Sequence, residues 1–220
     1  MEINCSALLL DIDGTLVNSL GAVERTWRAW AAEYGLDGDA VLRVCHGRRS
    51  EETIADFLPG EQVESAVARL DELELADLDG VVACAGAAEL LAANRLPWAV
   101  VTSGIVALGT ARMKAAGFSL PEVFITAESV TEGKPAPECY RLAARKLGVP
   151  AGDCVVIEDA PAGVRAGRAA GATVVAVTTT HRAEELGDAD FVVPSLDHVT
   201  VRGDQIAIAG GGGECVAAGR

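Results

Sequence analysis

The sequence predicts an α/β protein with a doubly wound parallel sheet and a helical unit inserted after the first strand. Three observations support this fold class. An apolar run near the start is followed by two acids one residue apart, two amphipathic helical segments come next, and short β-rich runs alternate with helices from Trp98 onward. Alternation of strands and helices is typical of a parallel sheet with helices on both faces.

The first strand ends in the stretch LLLDIDGT. If the apolar run is a buried strand, Asp11 and Asp13 lie at its carboxyl end, where open α/β sheets bind ligands, and Ile12 points the other way. Two carboxylates on one side repel each other unless a cation such as Mg²⁺ lies between them. An Asp-rich turn in which Gly14 takes a positive φ angle is the alternative, and this stretch alone does not decide between the two.

Residues 17–82 are predicted to form the helical unit. The segments GAVERTWRAWAAEYG and GEQVESAVARLDELEL carry apolar side chains at helical spacing, and VCHGRRSEETIADFL between them is typical of a turn followed by a shorter helix. Residues 1–16 and 83–210 are assigned to the α/β core. Residues 211–220, which are rich in glycine, are expected to be a flexible tail.

The remaining strands are predicted in WAVVTS, VFIT, CVVI, TVVAV and FVV. Polar residues stand beside several of them. Ser103 and Gly104 follow one strand, Lys134 precedes prolines that begin a helix, and Glu158 and Asp159 follow another strand. Ordinary helix caps and a surface lysine would explain each of these residues singly. Together they place acids, a hydroxyl and an ammonium at one edge of the sheet, which indicates a functional site.

Composition limits the partners. With 32 acidic and 18 basic residues the formal net charge is −14, which argues against nucleic acid or an anionic membrane as the main partner. The 6 cysteines are scattered and are expected to be reduced thiols. No export signal and no apolar run of about 20 residues is visible, so we expect a cytoplasmic protein.

In this order, DIDGT, VVTSG, GKP and VVIEDAPAG resemble the four signature motifs of the haloacid dehalogenase superfamily of phosphatases. The helical unit resembles the C1-type cap of that superfamily, which closes over the active site. Among the branches of that superfamily, these stretches of sequence are most similar to the sugar phosphatase and glycerol phosphatase branch. Asn18 and Ala136 stand where the family more often has Asp, and neither is a motif residue. The resemblance implies the haloacid dehalogenase fold, which is Rossmann-like.

The resemblance also implies roles. Asp11 would be the nucleophile that becomes an aspartyl-phosphate, and Asp13 the general acid and base. Mg²⁺ would be held by Asp11, the backbone carbonyl of Asp13, and Asp159 with Glu158, directly or through water. The residues expected to bind the phosphoryl oxygens are Ser103, the amide of Gly104, and Lys134.

The stretch CHGRRSEET resembles the cap loop that faces the active site. Arg48, beside Gly47, is the candidate for a substrate contact, because a guanidinium offers a rigid fork of donors to phosphate or sugar oxygens. His46 and Glu51 are candidates for hydrogen bonds to hydroxyl groups. The alternative is that the two adjacent arginines are solvated and paired with nearby glutamates.

These features favour a phosphatase that acts on small sugar or polyol phosphates. The expected partner is therefore a small phosphorylated metabolite. The protein is expected to be a monomer or a weak dimer. A phosphosugar mutase of the same superfamily is the first alternative. A receiver-type phospho-acceptor module is the second, but it would need a shorter chain without a helical insertion. Asp13 disfavours a dehalogenase, and the absence of lysine from residues 17–82 disfavours a phosphonatase.

Overall fold

The computed structural model describes residues 1–209, so the predicted flexible tail at residues 211–220 lies outside the described residues. The strands are β1 (Glu2–Asn4), β2 (Ala7–Leu10), β3 (Val17–Asn18), β4 (Val82–Ala83), β5 (Trp98–Val101), β6 (Val123–Ile125), β7 (Cys154–Glu158), β8 (Thr173–Val177), β9 (Phe191–Val193), β10 (Val199–Arg202) and β11 (Gln205–Ile208). The helices are α1 (Leu20–Glu33), α2 (Gly38–Cys45), α3 (Ser50–Ala55), α4 (Gly60–Ala76), α5 (Ala87–Ala93), α6 (Val106–Ala115), α7 (Glu138–Leu147) and α8 (Pro161–Ala170). Within residues 1–209, every helix is too short or too polar to cross a membrane.

A parallel sheet of six strands forms the centre of the molecule, in the order β6-β5-β2-β7-β8-β9. Its strands are short runs of branched apolar residues, which are suited to burial on both faces. Leu8 and Leu10 of β2 pack into one apolar cluster, and Leu9 between them packs into a second cluster on the opposite face. The predicted α/β class with a doubly wound parallel sheet is confirmed.

Helices α1 to α4 pack around a separate apolar cluster that contains Trp27, Trp30 and Leu70. Trp30 is fully buried, and its indole N–H donates to the carbonyl of Ala66 at 2.9 Å, which joins α1 to α4. Strands β3 and β4 pair antiparallel, so the chain enters and leaves this helical unit at adjacent points. These contacts support, as a proposal, the division at residues 17–82.

Several elements of the fold were not predicted: helices α2 and α5, the short strands β3 and β4, and the small sheet of β1, β11 and β10. Helix α2 follows α1 after a short turn, and the Asp37 side chain caps it by accepting from the backbone N–H of Asp39 at 2.9 Å. Strands β1, β11 and β10 form a small antiparallel sheet that joins the two ends of the described chain. Each of these strands has only three or four residues, so its alternating pattern is too short to distinguish from a loop.

Candidate active site

Strand β2 delivers Asp11 to the carboxyl edge of the sheet. The backbone N–H of Asp11 donates to the carbonyl of Ile157 at 3.1 Å, so its position is fixed by the neighbouring strand β7. The chain then turns at Gly14, where φ is +84°. A Cβ atom at Gly14 would lie 2.1 Å from a carboxylate oxygen of Asp159. Glycine is therefore required here both for its backbone angle and for the close approach of Asp159.

Lys134 is buried in the centre of the site, with 1% of its surface exposed. Its ammonium donates to Asp11 Oδ1 at 2.7 Å, to Glu158 Oε1 at 2.6 Å and to the carbonyl of Val101 at 3.1 Å. Burial alone would lower the pKa of Lys134, but the charges of Asp11 and Glu158 outweigh it and raise the pKa well above its usual value. Lys134 therefore remains a cation.

Glu158 is fully buried, and both of its carboxylate oxygens have protein donors. Besides Lys134, Oε1 accepts from the Tyr140 hydroxyl at 2.9 Å, while Oε2 accepts from the backbone N–H groups of Asp159 and Ala160 at 3.0 and 3.1 Å. A Cβ atom at residue 163 would lie 1.7 Å from Oε1, so this carboxylate fits only because the residue is glycine. In this structure Glu158 positions Lys134 and the start of α8, and its predicted role as a metal ligand stays a prediction.

Three buried carboxylates face this one lysine. Ligand oxygens of Asp11, Glu158 and Asp159 lie within 4.8 Å of one another. Burial and the charge of Glu158 raise the pKa of Asp159 to about 8. Burial also raises the pKa of Asp11 well above its usual value, and Lys134 offsets only part of this effect. The cluster has three carboxylates and one cation, and carboxylate oxygens are the hard ligands that a divalent cation such as Mg²⁺ takes, so these residues fit a divalent metal.

Ser103 and Gly104 follow β5, beside the acidic cluster. The Ser103 hydroxyl donates to the carbonyl of Gly47 at 2.9 Å, and the Gly104 N–H donates to the Thr102 hydroxyl at 3.0 Å. The adjoining helix α6 begins at Val106, and its first N–H is already bonded to the carboxylate of Glu128. The first N–H group of this helix is therefore occupied, while Ser103 and Gly104 line the same cavity as Asp11 and Asp13.

The helical unit covers this edge of the sheet. A cavity of about 70 Å³ between the two units is lined by both aspartates of the first motif and by His46, Gly47 and Arg48. Gly47 has a φ of +72°, and a Cβ atom there would lie 2.5 Å from that of Ala160. Glu51 is not in this cavity and instead lines an adjoining one of about 230 Å³.

Arg48 and His46 have protein neighbours in this structure. Arg48 pairs with Asp56 at 2.8 Å, and its guanidinium also donates to the carbonyl of Glu52 at 3.4 Å. The predicted contact with substrate stays a prediction. The ring centroid of His46 lies 5.9 Å from that of His181 in the α/β core. Burial lowers the pKa of His46, and His181 adds to this effect, so His46 is a neutral imidazole that can exchange hydrogen bonds with hydroxyl groups.

Several site residues were missed by sequence reasoning. Arg112 of α6 forms ion pairs at 3.0 Å with Asp13 and with Glu74 of α4. The Ser19 hydroxyl donates to Asp13 Oδ1 at 2.6 Å, and the Thr180 hydroxyl donates to the Asp159 carboxylate. None of these residues lies in a recognisable motif, and only the fold brings them to the site.

Comparisons with known proteins agree with this geometry. Residues 5–171 match the model of the haloacid dehalogenase-like hydrolase family. The chain is 43% identical over 203 residues to hexitol phosphatase A of Escherichia coli, covering 90% of this chain and 94% of the relative. It is 34% identical over 218 residues to glycerol-1-phosphate phosphohydrolase 2 of Saccharomyces cerevisiae, covering 92% and 87% of the two chains. The solved structure of a hydrolase from Pseudomonas syringae superposes with a TM-score of 0.79 at 25% identity, covering 86% and 92%.

Proposed function

The chain belongs to the haloacid dehalogenase-like hydrolase family, and on that premise we propose that it hydrolyses small sugar or polyol phosphate monoesters through an aspartyl-phosphate on Asp11. One observation carries the proposal. The Asp11 carboxylate accepts a hydrogen bond from Lys134 and lies beside Asp159. Asp11 and Asp13 also line the same cavity under the helical unit. This arrangement supplies a nucleophile, a cation for the phosphoryl oxygens and a second acid for proton transfer.

In this proposal Asp11 is the nucleophile and Asp13 transfers the protons. Asp11 Oδ attacks phosphorus while the bond to the ester oxygen breaks, and Asp13 gives its proton to the departing alkoxide. Asp13 then takes a proton from the water that attacks the aspartyl-phosphate, which releases inorganic phosphate and restores Asp11. The Lys134 ammonium would offset negative charge on the phosphoryl oxygens, and the Ser103 hydroxyl and the Gly104 amide would donate hydrogen bonds to them.

A divalent metal fits the acidic cluster, and we propose that it is Mg²⁺. Asp11 and Asp159 would hold it with the Asp13 carbonyl, and Glu158 would support them. When bound, the metal supplies positive charge that offsets the carboxylates and the transferring phosphoryl group. The same proposal places the enzyme in the cytoplasm as a monomer or weak dimer, and the buried, free thiols among the described residues support a reducing compartment.

The helical unit supplies the specificity in this proposal. His46 and Arg48 line the cavity that the aspartates share, and Glu51 lines the adjoining cavity where the rest of a longer substrate would extend. Neutral hydroxyl groups suit this mixture of imidazole, guanidinium and carboxylate groups, each of which donates or accepts hydrogen bonds.

A phosphate-release screen tests the function. The purified chain is incubated with hexitol, glycerol and sugar monophosphates, with Mg²⁺ or with a chelator, and Asp11→Asn serves as the matched control. Metal-dependent release of inorganic phosphate from these esters is the expected result. Conversion to an isomeric ester without free phosphate would favour the mutase instead. No release from any of these esters would refute the proposal.

A further inference from the structure

Arg112 links the helical unit to Asp13, the proposed general acid and base. It projects from α6 of the α/β core and is 4% exposed. Its Nη1 lies 3.0 Å from Asp13 Oδ2, and its Nη2 donates to Glu74 Oε1 at 3.0 Å. Glu74 lies in the last turn of α4 and is also 4% exposed. One buried guanidinium therefore spans the boundary between the two units.

The carboxylates of Asp13 and Glu74 together fix the orientation of the Arg112 guanidinium. Its Nε is buried and has no hydrogen-bond partner among residues 1–209. A guanidinium is a planar fork of donors, so two acceptors at its Nη ends determine its plane. Without Glu74 the long side chain would be held at the Asp13 end alone and would regain rotamer freedom. Glu74 thus fixes Arg112, and Arg112 in turn holds Asp13.

The orientation of Asp13 depends on this contact. The Asp13 side chain is 27% exposed, so apolar packing does not lock it. Its Oδ1 accepts from the Ser19 hydroxyl at 2.6 Å, and its Oδ2 faces Arg112. Holding both oxygens leaves the carboxylate one orientation, whereas loss of Arg112 leaves a single hydrogen bond about which it can rotate. A proton donor must lie within about 3 Å of the atom that it protonates, so such rotation lowers its efficiency.

We infer that Arg112 is a positioning residue for proton transfer, which orients Asp13 when Glu74 of the docked helical unit holds its guanidinium. The inference rests on the proposed function, because that function assigns the proton transfer to Asp13. In the first step the phosphorus–ester oxygen bond breaks, the Asp11–phosphorus bond forms, and the proton of Asp13 passes to the leaving alkoxide. An aryl oxide is a stable anion and leaves without that proton. Arg112 therefore matters for alkyl esters and much less for aryl esters.

Three esters separate this role from others. Sorbitol 6-phosphate has hydroxyl groups and a poor leaving group, propyl phosphate has only the poor leaving group, and p-nitrophenyl phosphate has a good leaving group. The ratio kcat/KM reports the steps up to the first phosphoryl transfer. We expect Arg112→Met to lower kcat/KM for propyl phosphate about 10²-fold, the lower end of what general acid catalysis contributes. The loss for the aryl ester should be at least about ten times smaller, and kcat should fall more than KM rises.

Further variants test the role of Glu74. Glu74→Gln should show the same leaving-group pattern with a smaller loss, and Arg112→Lys should recover part of the activity because it keeps one donor and the charge. In the Arg112→Met background, Glu74→Gln should add no further loss, because Glu74 acts through Arg112. Arg69→Met is the control, since Arg69 also lies on α4 but pairs with Glu33 and Glu72 at the surface.

Several outcomes would overturn the inference. Equal losses of kcat/KM on the propyl and aryl esters would show that Arg112 has only a structural role. Unchanged kcat/KM on all esters would show that Arg112 does not contribute to the reaction. Additive losses in the double variant would show that Glu74 does not act through Arg112. If Arg112→Met fails to fold, Arg112→Lys and Glu74→Gln carry the same ratio test. A wild-type chain that hydrolyses propyl and aryl phosphates but no polyol phosphate would refute the proposed substrate class alone and leave this test intact.

Discussion

Replacing Lys134 by methionine should destabilise the metal-free protein and abolish most of its activity. Methionine has nearly the same length as lysine, so it preserves the packing of the buried stem. It removes the only ammonium that faces the carboxylates of Asp11 and Glu158 among the described residues. The change therefore tests the charge of Lys134 rather than its volume.

The size of the effect follows from the contacts. Two charge-assisted hydrogen bonds of 2.7 and 2.6 Å are lost, and each is worth about 1.5–3 kcal/mol. Breaking a buried ion pair by removing one partner costs about 3–5 kcal/mol. We take that range as the expected loss in the free energy of unfolding. In a chain of this size each kcal/mol lowers Tm by about 2–4 °C, so Tm should fall by roughly 6–20 °C.

Thermal unfolding followed by circular dichroism, in the presence of a chelator, measures the loss. Lys146→Met is the matched control, because Lys146 is exposed in the last turn of α7 and its loss should cost less than about 1 kcal/mol. Burial already raises the pKa of Asp11, so proton uptake by the unpaired carboxyls should make the loss smaller at pH 6 than at pH 8. A loss no larger than the control, or one independent of pH, would refute the reasoning.

Four further predictions concern the same site. Asp11→Asn should abolish phosphate release while leaving the circular dichroism spectrum unchanged, and more than a few per cent residual activity would place the nucleophile elsewhere. Asp159→Ala should weaken the apparent Mg²⁺ affinity in activity titrations, whereas Glu158→Ala should mainly lower Tm, because its oxygens bond to protein donors; the opposite pattern would exchange their roles. Because the pKa of Asp159 is raised to about 8, its contribution to metal-free stability should be fully present below about pH 4 and decline as the pH rises to 8; Asp159→Asn should remove that decline, measured by urea unfolding. Gly47→Ala should lower kcat/KM on every ester, because the new Cβ atom would lie 2.5 Å from the Cβ atom of Ala160 in the α/β core. Gly35→Ala is the control and should leave kcat/KM unchanged, because Gly35 has a similar φ of +68° but no atom within 4 Å of the new Cβ.

The central sheet and the cluster of Asp11, Lys134 and Asp159 could be predicted from the sequence. Most strands of the sheet are short apolar runs followed directly by polar residues, and the carboxyl ends of adjacent parallel strands meet at one edge. That rule brings together Asp11 and Asp159, which follow the adjacent strands β2 and β7 and lie more than a hundred positions apart. Lys134 follows no strand end, and the family resemblance was needed to assign it to the site, where its hydrogen bond to Asp11 spans 123 positions. Local pattern and topology agree here, which is why the prediction was possible.

The contacts between the two units could not be predicted in the same way. Arg112 is one arginine in a helix with no clear apolar stripe, and Glu74 is one of several acids near the end of α4. Their pairing depends on how α4 lies against α6, which no local pattern determines. Helix α2 is different, because Asp37 before the segment GDAVLRVC is a capping signal that the sequence does contain.

Strand β2 is made first among the strands of the parallel sheet but lies between two strands that are made much later. Leu8 pairs with Trp98 on one side and with Val155 on the other, so a nascent chain must reach residue 98 before this apolar strand can gain one partner and residue 155 before it can gain both. Pairings of such long range make folding slow and leave hydrophobic surface open to aggregation in the meantime. Asp11 is translated before the other residues of the cluster, and no nascent chain that stops before residue 159 contains the complete site.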